Sequence, residues 1–242
     1  MKMRLKNSLV GFIMQSSLEN RYFKDRKEAS EQLLESMDLD KFDYIKPIVI
    51  GVSEGGVYVA NQLALRLNCM MDILLTEPIK APNNEDVTIA MISETKEVVM
   101  NKSLIDAFDI NEDFVYTTAQ QMYDEKVVSY VYRYRKGEEL LSLDGKDVIL
   151  VDECIESGLT MMASLKSVIE RGAKNVYIAT PILDKMVYDK LLTVCDGVFC
   201  PHIIEHYISV EYYFDKFDDI SYEEIVDMME FYAKKRYNEI IK

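Results

Sequence analysis

Residues 148–160, VILVDECIESGLT, bring together groups able to hold a phosphorylated sugar. An apolar run, 148–151, ends in two acids, Asp152 and Glu153. A short loop follows, Glu156-Ser157-Gly158-Leu159-Thr160, and then a helical pattern begins. Free backbone N–H groups at a helix N-terminus, together with the helix dipole, attract anions. Gly158 lets the backbone approach a phosphate closely, and the hydroxyls of Ser157 and Thr160 can donate to its oxygens. The two acids can accept hydrogen bonds from a sugar diol. S-G-x-T alone is a weak signal, since Ser157 would serve as well for an N-cap and the acids for surface charges. The full order of strand, acid pair, loop and helix favours the sugar-phosphate reading.

Other constellations carry less. Cys195, Cys200, His202 and His206 lie close together, but their spacing fits no familiar zinc finger and the cysteines flank a predicted strand. They read as structural. Cys154 reads as a small residue tolerated in a tight turn. Phe199, at a strand end, and Tyr207, Tyr212 and Tyr213 are the aromatics placed to cover a planar ligand. The chain has no G-x-G-x-x-G, Walker A or G-x-S-x-G motif, and its two histidines count against His-based acid–base catalysis.

The elements that must position these groups alternate. Residues 23–38 have helical spacing, and 48–52 are an unbroken apolar run after Pro47. A turn at 53–56 leads to a helix over 57–67 and a short strand over 72–76. Residues 77–86, with two Pro and two Asn, read as a loop. Strands over 87–92 and 97–100 precede a polar, helical stretch at 112–136 that contains a flexible segment. Asp144-Gly145 turns into the strand 147–151, and the helix 157–170 stops at Gly172. A strand over 175–182, a short helix, a strand over 197–200 and an amphipathic helix over 221–241 complete the chain. Such alternation predicts an α/β fold with a mostly parallel sheet, whose ligands bind at the carboxyl ends of strands. That singles out the loops at 53–56, 77–86 and 152–160.

The segment 148–160 resembles the phosphoribosyl pyrophosphate motif of type I phosphoribosyltransferases, an apolar strand, two acids, three residues and then T-G-x-T. RYFKDRKEA at 21–29 looks like the opening helix of a bacterial group within that family. IVIGVSEGGVYVANQLALRL at 48–67 looks like its strand, pyrophosphate loop and helix. EPIKAPNNEDVTIAMISE matches its flexible region, and YYFDKFDDISYEEI its C-terminal hood. Coverage runs over about residues 21–230, leaving 1–20 as an extension before a single domain at 21–242, with the flexible loop within about 77–136.

The resemblance implies a parallel-sheet core flanked by helices, with a small hood and a C-terminal helix. It implies transfer of a 5-phosphoribosyl group from phosphoribosyl pyrophosphate to a nitrogenous, nucleobase-like acceptor, with Mg²⁺ chelated chiefly by the substrate. Asp152 and Glu153 would hold the ribose, Ser157, Gly158, Leu159 and Thr160 the 5-phosphate, and Ser53, Gly55 and Gly56 the pyrophosphate. Glu156 would act as general base or hydrogen-bond partner to the acceptor. A homodimer is common for this fold. The chain departs from the family at Glu54, where Arg commonly stands, at Glu77-Pro78, where Arg-Lys stands, and at Glu153, where Asp is usual. At ~5 Å and an effective dielectric of ~20, one like-charge contact opposes a polyanion by about 3 kcal/mol. Lys80, Lys96 or Lys102 would replace the missing charge. The departures define an alternative, a catalytically silent sensor of a nucleotide or sugar phosphate on the same fold.

Composition sets the outer bounds. With 242 residues, 49% hydrophobic and 29% charged, the chain is of ordinary globular character. The net charge of −14 excludes nucleic acid as an expected partner. The densest basic runs, 133–136 and 234–236, alternate with aromatics or acids and read as solvated helix faces. A protein-interaction role driven by the acidic surface is the third reading. The basic N-terminus precedes an apolar run at 9–14 too short for a secretion signal, and no run approaches the ~20 apolar residues of a membrane span. The expectation is a soluble, cytoplasmic protein.

Overall fold

A computed structural model describes residues 21–240, so the expected N-terminal extension and the last two residues lie outside the described residues. Helix α1 (Arg26–Ser36) is capped by Asp25, whose side chain accepts from the Glu28 amide. Helix α2 (Leu39–Ile45) follows, ending in Lys46 with left-handed φ. The helix expected over 23–38 is α1, which ends at Met37 in extended conformation; α2 lies beyond that expectation, and its Phe42 is fully buried.

Strand β1 (Ile48–Gly51) leads into α3 (Glu54–Leu67), then β2 (Met70–Ile73). Val57, Ala60, Leu63, Ala64 and Leu67 of α3 repeat at helical spacing and are buried. Strands β3 (Thr76–Ala81), β4 (Asn84–Ser93) and β5 (Val98–Met100) form a separate antiparallel sheet in the order β3-β4-β5. Residues 77–86 are therefore a hairpin rather than the loop that their Pro and Asn content predicted. Pro78 is tolerated because β3 is an edge strand and pairs only with β4, and the register shifts on either side of Lys80. Helices α4 (Lys102–Ala107) and α5 (Glu112–Met122) cover this sheet; a π-helical turn (Tyr123–Val127) joins α5 to α6 (Val128–Arg135).

Strand β6 (Asp147–Val151), α7 (Leu159–Glu170), β7 (Asn175–Ala179), β8 (Ile182–Asp184), α8 (Lys185–Leu191), β9 (Gly197–Phe199) and β10 (His202–Ile204) complete the core. A 3-10 turn (Val210–Tyr213) and the long α9 (Tyr222–Ile240) follow. The main sheet is five-stranded and parallel, in the order β2-β1-β6-β7-β9, as expected for an α/β fold. Side chains alternate between its faces. Val49, Ile149, Val151 and Tyr177 pack with α3 and α9, while Ile50, Val148, Leu150 and Ile178 pack with α7 and α8. A hood forms where β8 pairs with β10 and where the Phe23 segment bridges to Phe214. Its interior is aromatic: Phe23, Tyr207, Tyr213, Phe214 and Phe217. Among the described residues, no helix is long and apolar enough to cross a membrane.

One buried ion cluster fixes α6 to this framework. Arg135, at the last turn of α6, pairs with Glu94 and lies 3.8 Å from Asp72 of β2, with all three side chains at most 7% exposed. The acids also accept from backbone amides: Glu94 from Leu75 at 2.9 Å, Asp72 from Leu141 at 2.9 Å. Burial pushes both carboxyls above their usual range, and Arg135 draws them back. Replacing Arg135 with Met leaves two acids buried without their cation. Unfolding stability is expected to fall by about 3 kcal/mol or more, the usual scale for breaking a buried pair. Urea unfolding reads this directly, and an unchanged midpoint removes the cluster as the anchor of α6.

Candidate functional site

Parallel pairing of β1 with β6 sets Gly51 beside Val151, so both chains leave the sheet at the same level. The loop after β1 becomes the N-terminus of α3. Ser53 caps that helix, its hydroxyl accepting from the Gly56 amide at 2.8 Å. The same hydroxyl donates to the Asp152 carboxylate at 2.5 Å. Asp152 also accepts from the Glu153 amide at 2.9 Å and is 8% exposed. With no cation against it, burial dominates and raises its pKa to about 7.

Glu153 turns the other way. Its carboxylate accepts from Arg26 Nε at 2.7 Å and lies against Gly55, where an added Cβ would meet it at 1.9–2.2 Å. Burial raises its pKa and Arg26 opposes the shift. A Cβ at Gly56 would lie 2.6 Å from the Val151 carbonyl oxygen, so the turn at 53–56 fits the acid loop only with glycines.

The loop 154–158 is pinned to the hood by two backbone bonds, Ile155 N–H to Ile182 O at 3.1 Å and Asp184 N–H to Ile155 O at 3.0 Å. Gly158 has φ +76° and forms the N-cap of α7. Ser157 is exposed, Thr160 half-buried and Leu159 buried. Glu156 is exposed as well, rather than enclosed by the loop. Cys154 hydrogen-bonds Tyr207 in the hood, and burial pushes its thiol up.

These loops border a cleft of about 490 Å³ at the carboxyl ends of β1, β2 and β6. Ser53, Glu54, Ser157 and Thr160 form one wall; Glu77, Pro78, Thr88 and Met91 of the antiparallel sheet form another. The third wall is α6, through Tyr130, Arg133 and Tyr134. Tyr134 Oη donates to Glu54, and Tyr130 Oη donates to Glu77 at 3.0 Å. Both acids that depart from the expected basic pattern are thus held by phenols of one helix.

Arg133 makes no ion pair among the described residues. Its guanidinium lies over the rings of Tyr222, at 4.4 Å, and Tyr134, at 5.3 Å. The run 133–136, read as a solvated face, is so in part: Arg133 and Lys136 are exposed, though Arg133 borders the cleft, whereas Arg135 is buried. The spacing of Tyr130, Arg133 and Tyr134 on one helical face was the available signal. The lysines expected to supply charge do not line the cleft. Lys80 is exposed and donates to Thr88 at 2.9 Å, Lys96 lies over Tyr123 at 4.7 Å, and Lys102 faces Glu112 at 3.8 Å. Phe199, expected beside a planar ligand, instead packs edge-on to Phe42 at 5.6 Å and beside Tyr177, in the core beneath α2.

Comparison with known proteins agrees with this architecture. The family model of the phosphoribosyl transferase domain matches residues 15–215. A Mycobacterium tuberculosis protein, found in strains H37Rv and CDC 1551 and named a phosphoribosyl transferase by inference, is 24% identical over 208 residues. That alignment takes in 86% of this chain and 46% of the relative, so the chain spans about half the length of the curated relatives it matches. Among solved structures, TT1426 from Thermus thermophilus is similar with a TM-score of 0.72 and 25% identity, over 87% of this chain and 98% of that one.

The titration of Asp152 has a measurable consequence. Its folded pKa of about 7 lies above its unfolded value, so its contribution to stability is full below the unfolded pKa, ~4, and is lost as pH rises through about 7. Wild-type protein should therefore lose stability relative to Asp152→Asn between pH ~4 and ~7.5. Denaturant unfolding of both proteins across that range checks it; parallel curves remove the assignment.

Proposed function

The chain belongs to the phosphoribosyl transferase domain family, and we propose that it transfers a 5-phosphoribosyl group from phosphoribosyl pyrophosphate to a nitrogenous, nucleobase-like acceptor. The observation that supports this reading best is that Arg133, Ser157 and Thr160 line one cleft. A cation without a carboxylate partner among the described residues shares that cleft with a helix N-terminus and two hydroxyls. Such a site suits a ligand with phosphate at each end.

In this reading the loop 157–160 holds the 5-phosphate through its backbone N–H groups and hydroxyls. Asp152, steadied by Ser53, accepts from the ribose diol and faces the positive charge that develops on the sugar. The bond from C1 to the pyrophosphate oxygen breaks, and the pyrophosphate leaves with the bonding pair. The acceptor nitrogen bonds to C1 and sheds its proton, for which Glu156 offers a carboxylate on the same loop. Arg133 neutralises charge on the leaving group. Mg²⁺ belongs to the substrate here, chelated by the pyrophosphate, since Glu153 is already paired with Arg26 and Asp152 with Ser53.

The alternative, a silent sensor of a sugar phosphate or nucleotide, draws its support from the carboxylates of Glu54 and Glu77 in the same cleft. Calorimetry separates the two. With Mg²⁺ present, phosphoribosyl pyrophosphate should bind more tightly than ribose 5-phosphate. Arg133→Gln should weaken the first about tenfold or more, the equivalent of ~1.4 kcal/mol, and leave the second nearly unchanged. Release of pyrophosphate in a nucleobase screen then establishes turnover. Equal binding of the two ligands, without turnover, favours the sensor; no binding of either ends both readings.

A further inference from the structure

We propose that Arg26 is a positioning residue for the sugar site: it holds the Glu153 carboxylate over Gly55, so that Asp152 alone is the acid presented beside Ser53. The inference rests on the sugar-phosphate reading above and assigns the two acids unequal roles.

The geometry divides the pair sharply. Neither acid lines the cleft itself, but Asp152 accepts from Ser53, a residue of the cleft wall, whereas Glu153 accepts from Arg26 on α1. The Glu153 carboxylate fills the space a side chain at residue 55 would take. Its partner is well fixed. Arg26 is 12% exposed and Glu153 16% exposed, and the guanidinium lies 3.8 Å from the centre of the Phe217 ring. Arg26 Nη1 also donates to the Asp218 carbonyl. One side chain from α1 therefore ties the acid loop to the segment that closes the hood. Glu153 is one methylene longer than the Asp usual at this place, and that length serves the reach toward Arg26.

The electrostatic consequence is specific. Without Arg26, Glu153 is a buried carboxylate with no cation. It can shed that cost by rotating toward the cleft, where a second negative charge beside Asp152 repels a phosphorylated ligand. Arg26 removes both the charge and the freedom to rotate. A carboxylate that itself binds the sugar diol makes the opposite demand, because its loss cannot be compensated by the loss of Arg26.

The experiment is a double-mutant cycle read by the affinity for ribose 5-phosphate, with wild type, Arg26→Gln, Glu153→Gln and the double variant. Arg26→Gln should weaken binding at least tenfold, Glu153→Gln less than threefold, and the double variant should recover to within about threefold of wild type. Arg26→Lys, which keeps the cation, should lose only a few-fold and serves if Arg26→Gln fails to fold. A purely structural clamp on the hood predicts no recovery in the double variant, and that result overturns the proposal. So does a tenfold loss in Glu153→Gln that the double variant deepens, which would place Glu153 on the sugar. Wild-type protein that binds no ribose 5-phosphate overturns the sugar-phosphate reading itself, an outcome distinct from wild-type binding with independent losses.

Discussion

The register between β1 and β6 governs everything built above it. Ile48 pairs with Val148 and Gly51 with Val151, and the ladder continues for one bond beyond the strands, from the Val52 amide to the Val151 carbonyl. This brings Ser53 and Asp152, ninety-nine residues apart in sequence, to 2.5 Å. A slip of one residue would turn each β6 side chain to the other face and separate the two loops. The glycines follow from the same constraint. A Cβ at Gly51 would meet Val57 at 2.8 Å, and those at Gly55 and Gly56 would strike Glu153 and the Val151 carbonyl. Helix α3 starts hard against the acid loop because three side chains are missing there.

Close approach of acids to one another is the price of that arrangement, and each is met differently. Glu153 has a guanidinium. Asp152 has a hydroxyl and an amide but no cation, so burial keeps its proton on until near neutral pH. Glu54 and Glu77 receive phenol donors from α6, which fix their direction without cancelling their charge. One guanidinium, Arg133, faces these charges in the cleft. At effective dielectric ~20 and ~5 Å, each like-charge contact with a phosphate is worth about 3 kcal/mol, the same order as one Arg contact of opposite sign. The charge balance of the cleft thus depends on where α6 lies.

The sequence announced the parallel core and the acid loop because both are local. An apolar run, two acids, a glycine and a helix start lie within fifteen positions and keep their order in the fold. Two strands of the antiparallel sheet were legible, but the first, β3, was hidden by Pro78 and by Asn83-Asn84, which are tolerated at an edge strand and in the turn beside it. Arg133 and Arg26 were hidden for another reason. Each owes its role to partners far away in sequence: Arg26 to Glu153 and Phe217, Arg133 to Tyr222 and the cleft. A basic residue on a polar helix looks the same in sequence whether its neighbours are water alone or also the wall of a cleft. Phe199 shows the converse, since an aromatic at a strand end met Phe42 of α2, a short helix that the sequence reading had left out.

The walls of the cleft differ in how they are held, and that difference matches the work each would do. The 154–158 loop is bonded on both sides to β8, and Gly158 has its left-handed turn against Val187. In the proposed transfer it would hold the phosphate, so that binding energy remote from the reacting carbon orients the sugar. Helix α6 is anchored by buried Arg135 in its last turn, while Tyr134 beside it and Tyr130 one turn earlier reach Glu54 and Glu77 on the two other walls. Both bonds are made to groups in the cleft itself, and a ligand that enters between α6 and the 53–56 turn competes with the Tyr134–Glu54 bond directly. The proposed group transfer would call for this pairing of a rigid support with exchangeable contacts. The sugar phosphate must stay in place while the leaving group is first gripped and then released.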